Sequence, residues 1–126
     1  MPDRDSRLAA PLTFAAIVEA GTGLVVLVAP AMVVRLLLGV ETSGSAVARC
    51  FGIALLALGA ASWPTAQRSL MQAFRAMWIY NAFIALYLVF VNLIAHVAGP
   101  LLWPAVALHA VVACWLVWAS RSHSDR

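Results

Sequence analysis

Three polar side chains lie deep inside long apolar stretches: the carboxyl of Glu19, the amide of Asn81 and the imidazole of His109. A carboxyl and an imidazole can exchange protons or hold a protonatable ligand, and an amide can orient both groups. An unpaired charge at the bilayer centre costs at least about 2.5–3.5 kcal/mol, so such residues are candidates for a functional site. Hydrogen bonds between helices in lipid are worth about 0.6 kcal/mol on average, so the same residues can also simply hold helices together. The sequence leaves both interpretations open.

These three residues form a set because they lie at a similar depth. A helix rises about 1.5 Å per residue, which places Glu19, Asn81 and His109 roughly 12–16 Å from the same side of the membrane. We therefore expect them to converge in one layer of a compact bundle. In the functional interpretation they form a ligand-binding site with Thr22, and in the structural one Glu19 is hydrogen-bonded to Asn81, His109 or Thr22 and holds the helices in register. Arg75 is the candidate for an ion pair with the carboxyl, because it lies in the same leaflet.

The histidines and cysteines do not have the spacing of a metal or haem site. His96 lies close to the opposite membrane face, about two turns or roughly 10 Å away from the level of His109. Cys50 and Cys114 form no CxxC pair and are expected to be buried free thiols that behave as small apolar residues. The chain has no GxSxG, HExxH, phosphate-loop or dinucleotide-binding pattern. We therefore predict no metal, no cofactor and no catalytic residue. Whether the protein is an enzyme stays open, with the balance against it.

The composition indicates which elements must position the polar residues. Of the 126 residues, 64% are hydrophobic and only 10% are charged, and the mean hydropathy is +0.95. A soluble domain is about half apolar and a quarter charged, so lipid must surround most of this surface. A spanning helix needs roughly 20 apolar residues, which limits a chain of this length to four crossings.

The apolar stretches and the turns between them predict an all-α fold, a transmembrane antiparallel four-helix bundle. Pro11 suits a first helical turn, and Pro30 should bend the first span because proline cannot donate the backbone hydrogen bond. A polar tail is expected at each end, over residues 1–10 and 120–126. The predicted spans are about 11–38, 45–63, 70–97 and 101–119.

Small residues predict which spans approach each other most closely. Each of the first two spans carries a stripe of small residues at three- and four-residue steps, and such stripes mark close helix contacts in membranes. We expect the two stripes to pack together, which would turn Glu19 toward protein. The stripes are Ala16, Glu19, Gly23, Val26 and Pro30 in the first span, and Ala48, Gly52, Leu55, Gly59 and Ser62 in the second.

The arginines predict the orientation. There is no lysine, and the arginines concentrate on the side that holds both termini and the second turn. Positive residues stay on the cytoplasmic side, so both termini should be cytoplasmic in a bacterial inner membrane. The arginines of that side are Arg4, Arg7, Arg68, Arg75, Arg121 and Arg126, and those of the other side are Arg35 and Arg49.

Several segments resemble an uncharacterised small four-span bacterial membrane protein family, and more loosely the DoxX-like class of four-helix membrane proteins. They are VEAGTGLVVLVAP, VVRLLLG, ARCFGIALLALGAASWP, YNAFIALYL and GPLLWPAVALHA. The likeness runs from about Phe14 to Leu116 and implies a four-helix membrane bundle without a settled activity. The polar residues inside these segments add Tyr80 to the predicted ligand-binding set.

The sequence therefore favours a small multi-pass inner-membrane protein with an accessory or structural role. The alternative is a binder or carrier of a small hydrophobic or protonatable ligand, using an intramembrane pocket around Glu19, Asn81 and His109. The expected partners are the lipid bilayer and further copies of the chain or a larger membrane complex. A net charge of +3 is too small and too scattered to indicate a nucleic acid.

Overall fold

The computed structural model describes residues 4–41, 44–65 and 69–121, and within these ranges all regular structure is helical. Four of the five helices are long and apolar enough to cross a membrane, as the sequence predicts, and they make the chain a multi-pass membrane protein. The helices are α1 (Arg4–Val28), α2 (Pro30–Leu38), α3 (Ser45–Ser62), α4 (Leu70–Ala95) and α5 (Leu102–Arg121).

The first helix begins earlier than the position of Pro11 predicts. It starts at Arg4, so that Pro11 lies two turns inside α1 and much of the predicted N-terminal tail is helical. Leu8 and Leu12 are buried and belong to the main hydrophobic core with Leu116 of α5. Packing of these leucines explains why the helix extends through the proline, whose local preference would place a helix start there.

The predicted bend at Pro30 is confirmed, but it is sharp enough to divide the first predicted span. Ala29 leaves the helical conformation, with φ −130° and ψ 59°, and Pro30 begins α2. The ring of a proline disfavours the helical conformation for the preceding residue, which accounts for the break. The first crossing is therefore Ser6–Val28, and the nine residues of α2 are too few to cross a bilayer.

The predicted contact between the two small-residue stripes is confirmed. Gly23 of α1 lies against Gly52 of α3, so closely that a Cβ at Gly23 would lie 2.6 Å from the Gly52 carbonyl oxygen. Two turns further along, Gly59 lies against Ala16, and its Cβ would lie 2.7 Å from the Ala16 carbonyl oxygen. The contacts pair Gly23 with Gly52 and Ala16 with Gly59, so the residue number falls along α1 as it rises along α3. The two helices are therefore antiparallel.

Backbone hydrogen bonds tie α2 to the turn between α4 and α5. The N–H of Gly99 donates to the Leu37 carbonyl at 3.2 Å and the N–H of Leu101 donates to the Leu36 carbonyl at 2.9 Å. These bonds satisfy carbonyls that the end of a helix leaves without partners. Gly39 ends α2 in the left-handed conformation, with φ 72°, which glycine adopts without steric cost.

The fourth helix ends slightly earlier than predicted, at Ala95, because His96 adopts φ 52° and stops it. The side-chain amide of Asn92 donates to the Val97 carbonyl at 3.2 Å and holds this reversal. Helix α1 packs against α3, α4 and α5, whereas α4 and α5 pack together as a hairpin. This arrangement is consistent with the predicted antiparallel bundle, with α1 as its central element.

Candidate functional site

A cluster of four polar side chains joins three helices in the interior. Glu19 comes from α1, Tyr80 and Asn81 from α4, and His109 from α5. Glu19 and Asn81 are each 1% exposed, and Tyr80 and His109 are half-buried. The expectation that Glu19, Asn81 and His109 converge in one layer is confirmed by the distances between them. We call these four residues the polar cluster.

Asn81 is fixed by two hydrogen bonds, and they determine the protonation of His109. The Asn81 amide nitrogen donates to the Met77 carbonyl, one turn earlier, at 2.9 Å. The amide oxygen therefore faces His109, whose Nδ1 lies 2.8 Å away. Because an amide oxygen only accepts, Nδ1 must carry the proton and donate it. In the neutral ring this leaves Nε2 as the nitrogen with the free lone pair.

Glu19 is held by tyrosine and lies beside the imidazole. The Tyr80 hydroxyl forms a hydrogen bond with the Glu19 carboxyl. His109 Nδ1 is 3.8 Å from Glu19 Oε1, which is too far for a hydrogen bond but makes the two groups direct neighbours. The Tyr80 and His109 rings meet edge to face, with centroids 5.8 Å apart and planes at 80°. Each side chain of the cluster thus contacts at least one other.

The interior position of Glu19 follows from the stripe on which it lies. Ala16 and Gly23, three and four residues away, are buried against α3, and their small size brings the two backbones together. The carboxyl is then directed toward the α4–α5 hairpin, where Tyr80, Asn81 and His109 receive it. Across the described ranges, no buried side-chain nitrogen or oxygen lacks a hydrogen-bond partner. The few polar groups of the interior are therefore hydrogen-bonded.

No protein-family model, no curated protein and no solved structure matches the chain. The geometry described above is therefore the basis for any functional conclusion. The resemblance to the DoxX-like class stays a prediction.

Two residues proposed for the site lie outside the polar cluster. Thr22 is exposed, although it is only one turn from Glu19, because it lies on the outer side of α1. Arg75 is also exposed, and among the described residues no ion pair connects it to Glu19. The predicted ion pair is therefore not formed, and an exposed arginine near a helix end can keep its charged head in water. His109 is the basic group beside the carboxyl.

Three surface grooves lie away from the polar cluster. One groove of about 630 Å³ runs between α1 and α3, and two of about 430 Å³ each lie along α5. None of the three is lined by a residue of the cluster. The described ranges also contain no group of three or more histidine, cysteine, aspartate or glutamate residues placed to hold a metal ion. Cys50 and Cys114 are free thiols, but both are exposed on the outer helix faces rather than buried as predicted.

Sequence reasoning missed the bond between Tyr80 and Glu19 and the groove formed by α4 and α5. Tyr80 precedes Asn81 directly, and neighbouring helical residues point about 100° apart, so the pattern did not place both in one cluster. They meet the same site because Glu19 and His109 approach α4 from two different helices. Of the residues that line this groove, Arg121 and Trp118, three residues apart on α5, were a signal for it, because residues at this spacing share a helix face.

Proposed function

We propose that this chain is an accessory or structural protein of the bacterial inner membrane, acting through helix contacts with itself or a larger complex. The observation that carries the proposal is the burial of Glu19 and Asn81 inside a cluster whose side chains come from three helices and in which Asn81 is hydrogen-bonded to His109. A buried set of this kind holds helices in one arrangement. Membership in a small four-span family, loosely DoxX-like, is part of the same proposal.

The outer helix faces support a role in lateral contacts. Helices α3 and α4 present apolar side chains outward, and α4 carries an unbroken row of large ones. This surface suits lipid and equally suits another apolar helix, since packing rather than polarity decides between them in a membrane. The exposed residues of α4 in this row are Ile79, Phe83, Leu86, Tyr87, Phe90 and Ile94.

The substitution Glu19→Gln tests the proposal. Glutamine keeps the size and the hydrogen bond to Tyr80 but cannot ionise, so we expect a folded protein that restores the cellular phenotype of a gene deletion. The midpoint temperature of thermal unfolding in detergent should change by less than about 2 °C, because the hydrogen bonds lost and gained differ by only about a few tenths of a kcal/mol. A Glu19→Gln protein that folds normally and fails to complement would contradict the structural role, since only the ionisable group has changed.

Glu19→Leu is the matched comparison. Leucine removes the partner of the Tyr80 hydroxyl and the contact with His109, and we expect it to cost about 1 kcal/mol of stability. Helix association, measured as resistance to unfolding by sodium dodecyl sulfate, should fall for Glu19→Leu and not for Glu19→Gln. If the wild-type protein, Glu19→Gln and Glu19→Leu resisted unfolding by sodium dodecyl sulfate equally, the carboxyl would contribute nothing to the fold.

The proposed orientation has both termini in the cytoplasm, by the arginine asymmetry. Ser45 at the start of α3 and Ser69 before α4 are exposed and lie at opposite ends of the crossings. In a background with Cys50 and Cys114 replaced by alanine, a membrane-impermeant maleimide should label Ser45→Cys in intact cells. It should label Ser69→Cys only after the cells are opened. The reverse pattern would overturn the orientation.

A second candidate function is the binding of a small hydrophobic or protonatable ligand at the polar cluster. It is favoured by the 13% exposure of the His109 side chain and by the half-buried position of Tyr80, which leave one side of the cluster reachable from the surface. Glu19 and His109 would supply the charge and Asn81 and Tyr80 the hydrogen bonds. The Glu19→Gln experiment separates the two functions, because ligand binding through an ionised carboxyl would be lost while the fold is kept.

A further inference from the structure

A groove runs along the outer face of the α4–α5 hairpin. Its volume is about 430 Å³, and it is open along its length to the surroundings of the protein. Apart from one basic residue its lining is apolar and aromatic, with the small side chain of Ala113 nearly buried, at 8% exposure. The lining residues are Trp78, Ala113, Cys114, Val117, Trp118 and Arg121.

A second open groove of about 430 Å³ lies on the adjoining face of α5 and shares Cys114 and Trp118 with the first. Cys114 and Trp118 are four residues apart and form one ridge of α5. Two open apolar grooves of similar volume therefore flank a common ridge. Two parallel acyl chains joined at one headgroup fit this shape, whereas a single compact ligand would occupy only one of the two grooves.

The basic residues lie at one end of the hairpin. Arg121 is in the last turn of α5 and lines the first groove. Arg75 is in the second turn of α4, three residues before Trp78 and thus on the same side of that helix. Both arginines are exposed, and neither takes part in an ion pair among the described residues. This end is where the sequence places most of the arginines.

The two tryptophans that line the groove also suit a bound phospholipid. Trp78 and Trp118 are 39% and 66% exposed, and their indoles combine an apolar ring with an N–H donor. Tryptophan is enriched where lipid headgroups meet acyl chains for this reason. The groove thus passes from basic residues to tryptophans and then to a small apolar floor, which is the order of a phospholipid from phosphate to chain.

We propose that the outer face of α4 and α5 is a binding site for one anionic phospholipid of the leaflet that faces the termini. Arg121 and Arg75 contact the phosphate and the charged headgroup, and the two chains lie on either side of the Cys114–Trp118 ridge. Basic sites between membrane helices bind anionic headgroups in this way. The inference requires the membrane location alone and stands independently of the role proposed for the polar cluster.

The test uses quenching of tryptophan fluorescence by lipids with brominated chains. The full chain is reconstituted in phosphatidylcholine vesicles that contain a low mole fraction of brominated phosphatidylglycerol or of brominated phosphatidylcholine. We expect half-maximal quenching at an anionic lipid fraction about 25-fold below that of the neutral lipid, since each of the two arginines near the headgroup contributes about fivefold. Equal quenching by the two lipids would overturn the proposal.

Arginine variants locate the charged end of the site. Arg121→Gln should lower the preference for the anionic lipid about fivefold, and combining it with Arg75→Gln should abolish the preference. Arg49→Gln is the matched control, because Arg49 is also exposed on a spanning helix but lies at the opposite membrane face. A loss of preference as large in Arg49→Gln as in Arg121→Gln would assign the effect to diffuse charge and overturn the site.

Tryptophan variants locate the apolar part. Trp78→Phe, Trp115→Phe and Trp118→Phe combined should remove most of the difference between the two brominated lipids, because these three rings line the two grooves. Trp103→Phe, an exposed tryptophan at the start of α5, is the control and should leave the difference intact. A difference that persists without Trp78, Trp115 and Trp118 would place the anionic lipid elsewhere and contradict the proposal.

Discussion

Gly23→Ala is expected to lower the free energy of unfolding by about 2 kcal/mol or more, although alanine is the better helix former. The added Cβ would lie 2.6 Å from the Gly52 carbonyl oxygen, 2.8 Å from the Leu56 nitrogen and 2.9 Å from the Leu55 Cβ. Two of these three atoms are backbone, so no side-chain rotation relieves the clash and α3 must move away from α1. Unfolding by sodium dodecyl sulfate or heat in a mild detergent measures the loss.

The control for this prediction is two residues away on the same helix. A Cβ at Gly21 would meet nothing within 4 Å, and Gly21 is exposed. Gly21→Ala gains the same helix propensity without a clash, so we expect no loss and a gain of up to about 1 kcal/mol. If Gly23→Ala were as stable as Gly21→Ala, the close contact of α1 with α3 would not exist in the membrane.

Asn81→Leu should cost about 1–3 kcal/mol, because it leaves the His109 Nδ1–H without its acceptor in the interior. Leucine has a similar volume, so the expected loss comes from the unpaired donor rather than from a cavity. The second hydrogen bond of Asn81, to the Met77 carbonyl, is a smaller loss, since that carbonyl remains within the helix. The change should appear as a lower midpoint of thermal unfolding and as a less helical protein in harsher detergents.

A double-mutant cycle with His109→Leu isolates the bond between the two residues. We expect a coupling energy of about 0.6–1.7 kcal/mol, the range found for hydrogen bonds between membrane helices. Asn92→Leu serves as a matched control on the same helix, because Asn92 is half-buried and its side-chain amide donates to the nearby Val97 carbonyl rather than to α5. Strictly additive losses for Asn81→Leu and His109→Leu would argue that the 2.8 Å contact carries no stability.

The prediction of helices and of their close contacts succeeded because both depend on periodicity. Apolar length determines which segments can cross a bilayer, and small residues repeated at helical steps determine where two helices can approach. The contacts of Gly23 with Gly52 and of Ala16 with Gly59 follow from that pattern. Depth along the helix axis likewise brought Glu19, Asn81 and His109 to one level, since the rise per residue is constant.

The element boundaries were predicted less well, because local preferences compete with packing. Pro11 is a favoured helix start, yet α1 extends back to Arg4 since the burial of Leu8 and Leu12 outweighs that preference. Conversely, the steric effect of Pro30 on Ala29 was strong enough to separate α2 from the first crossing. The end of α4 was set by His96 and the side chain of Asn92, two residues before the predicted end of that span.

The sequence by itself determined that this is a helical protein of the bilayer with one carboxyl hidden among its helices, because hydrophobic length and small-residue spacing are properties of single segments. Only the tertiary structure decided which groups meet that carboxyl: Tyr80 and His109 rather than Thr22 or Arg75. Hydrogen bonds depend on how helices are rotated against each other, and rotation is set by packing across several helices at once. A linear pattern therefore gives the level of a side chain and leaves its partners to the fold.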